Sequence, residues 1–211
     1  AFNSNDGSEE AFLFSADQCL KFNYAAPNDF IIKGPLSISD FFPSLKITDF
    51  ATGIDSAFTS SNKNEVYMFK DDSCLILDFV NDKIIEPLKP ITDFFKKLEN
   101  TPFEYKINAA FATHKPNEAY IFSGNQCALF NFKEDEFVIH PKKITSCFPK
   151  LVGSDFGGGL DAAFMSTKGN EAYIFKGNDY AIINYAKDGH LIYKVSPPIS
   201  KGFHCLKDKI P

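Results

Sequence analysis

The 211-residue sequence has no tryptophan and no arginine, so all 22 of its basic residues are lysine. Against 27 acidic residues this leaves a net charge of −5. An acidic chain without arginine is poorly equipped for nucleic acid, because phosphate neutralisation and base-edge readout both lean on Arg and Lys. No apolar run approaches the ~18 residues of a membrane-spanning helix. Cysteine is scarce: five residues, odd in number and too few for a disulfide scaffold, favour a reduced, intracellular protein. The opening AFNSNDGSEE has neither the basic nor the apolar part of a secretion signal. Asn100-Thr101-Pro102 fails as a glycosylation sequon because of its proline. Phosphate-binding glycine loops, Gly-x-Ser-x-Gly and His-Glu-x-x-His are also missing, so no catalytic residue is assigned and the reading is non-enzymatic. What is abundant is aromatic: 24 Phe and 8 Tyr in a chain that is 44% hydrophobic, enough to bury a core and to exclude disorder.

The chain repeats itself. Asn64-Glu65-Val66-Tyr67-Met68-Phe69 returns as Asn117 to Phe122 and again as Asn170 to Phe175, with a worn copy at Glu10 to Phe14. The Glu positions 10, 65, 118 and 171 step by 55, 53 and 53. A second string precedes each copy: Ile54 to Phe58, Ile107 to Phe111 and Leu160 to Phe164, with only Ala1-Phe2 left of the first. A third follows, from Cys19, Cys74, Cys127 and Tyr180. A fourth closes each unit with spaced apolar residues, such as Ile38, Phe42 and Leu45. Four units, approximately 1–53, 54–106, 107–159 and 160–211, account for the whole chain as one domain. The periodicity predicts at least three residues before Ala1, resembling Ile-Asn-Ala, and the Ala start marks a processed or incompletely represented chain.

Alternating apolar residues mark the first three strings as strands. Gly124-Asn125 and Gly177-Asn178 stand where a tight hairpin needs positive φ, with Asp71-Asp72 and Ala16-Asp17 in the same place. A short apolar stretch, such as Phe30-Ile31-Ile32 or Leu191-Ile192-Tyr193, adds a fourth strand. Spacings of 4 and 3 in the closing string make one helical face, with Thr92, Thr145 and Ser200 as N-caps and Pro43 and Pro149 limiting its length. Four antiparallel strands and a short helix, repeated four times, predict an all-β four-bladed propeller.

The Asn/Asp-Ala-Ala-Phe strands, the Asn-Glu-Ala-Tyr-Ile-Phe strands and the closing Ile-x-x-x-Phe-Pro-x-Leu helix resemble the hemopexin repeat. With Phe and Tyr in place of Trp and a 53-residue step, the pattern is most similar to the albumin-2 family of legume seeds. The resemblance covers essentially the whole chain and implies a seed-cytosol protein of hemopexin fold. It also implies ions in the channel that the first strands line. A structural cation such as Ca²⁺ would be held by backbone carbonyls of Asp55, Asn108 and Asp161, with a second layer at Ala1, Ala57, Ala110 and Ala163. The plainer reading is that Asp and Asn bond the adjacent turn.

The family further implies polyamine (spermine) binding, for which Glu10, Glu65, Glu118 and Glu171 are candidates; the alternative is four solvated strand ends. It implies haem as well, whose axial ligand is usually His. His114 and His204 are the nearest candidates, with His140 and His190 left open. Cys19, Cys74 and Cys127 share one repeat position in three blades, too far apart to bridge one another, and read as small core residues. Cys147 and Cys205 fall on closing helices at non-equivalent positions, and the first-to-last-blade disulfide of secreted relatives is not expected. Two other functions stay open: a protein-interaction module, which predicts an exposed apolar patch, and a nutrient store without a specific ligand. A homodimer through one propeller face is compatible with each.

Overall fold

A computed structural model describes residues 1–25, 28–186, 190–191, 198–207 and 209; for His190 and Leu191 only the strand pairing is described. It contains four antiparallel four-stranded sheets. The first blade is β1 (Phe2–Asn3), β2 (Glu10–Ser15), β3 (Gln18–Asn23) and β4 (Phe30–Ser37). The second is β5 (Ser56–Thr59), β6 (Glu65–Lys70), β7 (Ser73–Asp78) and β8 (Lys83–Pro90). The third is β9 (Ala109–Ala112), β10 (Glu118–Ser123), β11 (Gln126–Asn131) and β12 (Glu136–Lys143). The fourth is β13 (Ala162–Met165), β14 (Glu171–Lys176), β15 (Asp179–Asn184) and β16 (His190–Leu191). Strand β1 touches β5 and β13, and β9 touches the same two, so the four first strands surround one axis. This is the expected four-bladed propeller. Of the predicted strand Leu191-Ile192-Tyr193, the last two residues lie outside the described ones.

The aromatic excess fills the wedges between blades. Phe2, Phe22, Phe111, Phe122 and Phe164 are all almost wholly buried. Each such side chain contributes about 1.5–3 kcal/mol by leaving water. Phe2 stacks on Phe12 within its blade (4.5 Å) and meets Phe79 of the next edge-on (5.3 Å), while the equivalent contacts Phe58–Phe132, Phe111–Tyr185 and Phe164–Tyr24 are tilted.

Each β-hairpin between second and third strands turns through a residue of positive φ: Ala16 (49°), Asp71 (50°), Gly124 (51°) and Gly177 (54°). Alanine is the costly choice, because its Cβ crowds the carbonyl in this region. Ala16→Gly is therefore expected to stabilise the protein by about 0.5–1 kcal/mol. A thermal melt that fell, rather than rose by a few degrees, would refute this. Asn64, Asn117 and Asn170 also have positive φ (66°, 64°, 61°), which explains the asparagine that opens each repeated string.

The closing segments differ from expectation in two respects. The single helix is instead a four-residue α-turn followed by a 3₁₀ turn: α1 (Ile38–Phe41), α2 (Ile91–Phe94), α3 (Ile144–Cys147) and α4 (Ile199–Gly202), then Pro43–Leu45, Lys96–Leu98, Pro149–Leu151 and His204–Leu206. Thr92, Thr145 and Ser200 are not N-caps; they are second residues of α2, α3 and α4, whose caps are Pro90, Lys143 and Pro198. The helices start early because the isoleucine N–H is already satisfied by a hairpin carbonyl. Ile38 donates to Asp17, Ile91 to Asp72, Ile144 to Asn125 and Ile199 to Asn178, at 2.7–2.8 Å.

The second correction concerns sulfur. Cys127 is not a free core thiol but forms a disulfide with Cys147. Helix α3 folds back onto β11 of its own blade and so brings the two together. Cys19, Cys74 and Cys205 are free. Burial pushes the Cys205 thiol up to about 12 and raises Cys19 and Cys74 well above the ordinary thiol value, so all three stay protonated.

Aspartates one period apart link neighbouring blades. Asp82 accepts from the Ser44 N–H (3.1 Å) and hydroxyl (2.7 Å), and Asp135 accepts from the Lys97 N–H (3.2 Å). Asp29 closes the circle: its Oδ2 accepts from the Cys205 N–H at 2.6 Å, and His204 Nδ1 lies 3.4 Å from its Oδ1. The fourth member of this series, Asp188, lies outside the described residues.

Candidate axial site and its flanking pocket

The carboxylate and amide groups of Asp55, Asn108 and Asp161 do not face the axis. Asp55 Oδ2 accepts from the Asp71 N–H (2.7 Å), Asn108 Oδ1 from the Gly124 N–H (2.9 Å) and Asp161 Oδ2 from the Gly177 N–H (2.7 Å). Asp55 also pairs with Lys106 (3.0 Å) and Asp161 with Lys176 (2.6 Å). These side chains cap the hairpin turns, as the plainer sequence reading has it. Their carbonyls are another matter: none accepts a hydrogen bond among the described residues.

Strand register decides where the second layer points. The N–H groups of Ser4, Ser60, Thr113 and Ser166 donate to Glu10, Glu65, Glu118 and Glu171, respectively, at 2.8–2.9 Å. In an antiparallel pair hydrogen-bonded and non-bonded positions alternate. Counting back from these bonds, Phe58 and Tyr67 face each other as a bonded pair, whereas Ala57 and Met68 do not bond. Ala110 opposite Ile121, Ala163 opposite Ile174 and Ala1 beyond Phe2 have the same parity. The peptide groups of Ala1, Ala57, Ala110 and Ala163 therefore turn away from the second strands and toward the axis. All four alanines are buried, and their methyl side chains let the strands approach closely. Such a donor set, all oxygen and uncharged, suits a hard cation. It also explains why, among the described residues, no group of three or more His, Cys, Asp and Glu is placed to hold a metal.

Three of the four predicted glutamates find polar partners within their own blades. Glu10 pairs with Lys21 in its own blade. Glu65 accepts from Asn62 Nδ2 at 2.7 Å and from Ser60 Oγ at 3.3 Å. Glu118 has Lys115 at 3.9 Å and lines two adjoining hollows. One, of about 330 Å³, lies at the end of the channel, where Asn5, Thr59, Ala112 and Met165 bring in all four blades. The other, of about 280 Å³, is walled by Tyr120, Tyr185 and His114.

His114 has a structural task. Its Nδ1 accepts from the Asn170 N–H at 3.2 Å and contacts the Tyr185 hydroxyl closely, while the His114 N–H donates to that hydroxyl at 3.1 Å. Burial raises Tyr185 to about 12, so it keeps its proton and has it free to give to Nδ1. With donors on both approaches to Nδ1, the ring proton sits on Nε2. Ser61 Oγ does the same for the Asn117 N–H (2.7 Å) and Asn5 Oδ1 for the Asn64 N–H (3.2 Å). An axial ligand through Nε2 needs the opposite tautomer. His204 is placed for it: its Nδ1 faces the Asp29 carboxylate, which in the neutral ring draws the proton to Nδ1, and its side chain is exposed. His140 packs at a tilt against Phe137 (5.4 Å), and the side chain of His190 lies outside the described residues.

No family model matches the sequence. Individual relatives do. Over 166 residues, 74% of this chain and 72% of the relative, it is 40% identical to the albumin-2 of Lathyrus sativus. The albumin-2 of Pisum sativum is 38% identical over 74% of this chain and 71% of its own length. The chain belongs to the albumin-2 family. Solved structures agree along its full length. A Cicer arietinum albumin described as showing hemagglutination superposes with a TM-score of 0.93 at 34% identity, covering 100% of this chain and 96% of that one. A Cicer arietinum lectin with two metal-binding sites does so at 0.94 and 35%, with the same coverage of 100% and 96%. The hemopexin-fold protein CP4 from cow pea does so at 0.93 and 32%, again covering 100% and 96%. Within this albumin-2 chain, sequence reading overlooked the aspartate series 29, 82 and 135, although its 53-residue step was a usable signal.

Proposed function

We propose that this seed albumin is a non-enzymatic ligand-holding protein whose first strands bind a structural cation, calcium or one like it, on the propeller axis. The observation that carries this is the shared non-bonded parity of Ala1, Ala57, Ala110 and Ala163. The metal sites of the chickpea lectin support it by analogy. The cation would have no acid or base beside it, so its task is to hold the four blades together.

The small ligand is assigned to side chains outside the channel. For haem the axial residue is His204, on the tautomer argument above, and not His114. For spermine the site is Glu118, whose carboxylate opens on Tyr120 and Tyr185, because an ammonium is drawn both to carboxylate and to aromatic faces. A cytosolic setting belongs to the same proposal; the free thiols of Cys19, Cys74 and Cys205 support it, and the Cys127–Cys147 disulfide counts against it.

Titration with haemin, read at the Soret band, tests the ligand assignment. A saturable shift near one haem per chain is expected, lost in His204→Ala and kept in His114→Ala. Spermine binding is expected to weaken in Glu118→Gln but not in Glu10→Gln. If neither ligand saturates, the protein is a nutrient store or a partner-binding module. The latter would engage the row of Phe30, Ile32 and Leu36 exposed on β4.

A further inference from the structure

After the first strand of three blades, a loop side chain reaches over to the next blade. Asn5 Oδ1 accepts from the Asn64 N–H (3.2 Å), Ser61 Oγ from the Asn117 N–H (2.7 Å) and His114 Nδ1 from the Asn170 N–H (3.2 Å). The receiving asparagines hold one repeat position and share positive φ, so their N–H groups are presented alike. Their carbonyls in turn accept from the N–H groups of Phe79, Phe132 and Tyr185, at 2.9 Å each. Each clip thus ties the loop of one blade to the end of the third strand of the next.

An amide or hydroxyl oxygen accepts at every ordinary pH. A histidine nitrogen accepts only in the neutral ring, and imidazole changes charge between about pH 5 and 8. His114 is exposed, so solvent can deliver the proton. A proton on Nδ1 meets two donors, and these respond differently. The Tyr185 hydroxyl can rotate and accept from the new N–H. The Asn170 N–H is fixed by its backbone, so it loses its acceptor and faces a positive ring. Burial raises Tyr185 to about 12, so it brings no charge in this range. Among the described residues, the charged side chains lining the two hollows beside the ring are Lys115, which opposes the proton, and Glu118, which favours it. The other three blades line those hollows with uncharged groups, Asn5, Ser61 and Asn170 among them. Lys168, two residues before Asn170, is exposed and lines neither.

We infer that His114 is an acid-released clip between the third and fourth blades. At neutral pH it holds the Asn170 loop at the wall of the hollow of about 280 Å³. When Nδ1 takes a proton the loop is let go, while the clips made by Asn5 and Ser61 stay closed. The hollow therefore loosens on its fourth-blade side alone, whatever ligand it holds.

Amide hydrogen exchange, read residue by residue in nitrogen-15 spectra, tests this. The Asn64 and Asn117 amides are references within the same sample and cancel the intrinsic effect of pH. From about pH 8 to about pH 5, exchange at Asn170 is expected to rise about fivefold relative to them, the loss of one hydrogen bond. The rise should follow the titration of the His114 ring protons. His114→Ser, which supplies the acceptor used at position 61, should remove it. Should His114→Ser not fold, the match between the Asn170 curve and the His114 titration in the unaltered protein decides alone. The inference is overturned by an Asn170 rate in constant ratio to Asn64 and Asn117, by a rise that does not follow the His114 titration, or by the same rise in a folded His114→Ser.

Discussion

Asp29→Ala is expected to lower the melting temperature by about 3–12 °C. The carboxylate is almost fully enclosed, with its side chain 4% exposed, and it receives the Cys205 N–H and faces His204 across the seam between the first and last blades. Hydrogen bonds to a charged group are worth about 1.5–3 kcal/mol, and a domain of this size loses about 2–4 °C for each kcal/mol. The same bracket exists at other seams, where Asp82 holds Ser44 and Asp135 holds Lys97. There the chain itself joins the two blades; at the Asp29 seam no linker does. Asp29→Ala should therefore cost more than Asp82→Ala, and equal losses in the two variants would remove ring closure as the explanation.

The same residue sets an acid limit. Burial raises the Asp29 pKa, but the bonds from Cys205 and His204 outweigh it and hold the carboxyl below its ordinary value. A carboxylate with a lowered folded-state pKa gives stability that is complete above the unfolded value, about 4, and disappears as pH falls through the folded value. Stability is thus expected to fall below about pH 4, with a smaller fall in Asp29→Asn. An identical acid profile in the two proteins would show that Asp29 is not the group that titrates.

Calcium is expected to raise the melting temperature by about 5–11 °C over a chelated sample. At a concentration 100 times the dissociation constant, a ligand specific to the folded state adds about 2.7 kcal/mol, which at about 2–4 °C per kcal/mol gives that shift. The expectation rests on the carbonyls that the parity of the first strands directs to the axis. Ala110→Val should abolish the calcium-dependent part of the shift, because the added methyl groups keep the fully buried first strand from its close approach. Identical melts with calcium and with chelator, on protein stripped of metal, would sink the axial-cation proposal.

Periodicity alone was enough for much of this protein. The four copies of one string, with alternating strands and glycine or asparagine turns, determined four antiparallel blades, because each blade's hydrogen bonds are made within about 40 residues of chain. The alanines recur with the same step, but their assignment to the channel came from the family resemblance. What the sequence left open was every contact made between blades or back across one. Asp29 and Cys205 are 176 residues apart, and the repeat says nothing of which neighbour a side chain reaches. Cys127 and Cys147 occupy dissimilar positions in the repeat and meet only because α3 folds onto β11. The choice between His114 and His204 needed the atoms around each Nδ1. Local order follows from residues that adjoin in sequence, while closure and tautomer follow from surfaces that only the finished ring brings together.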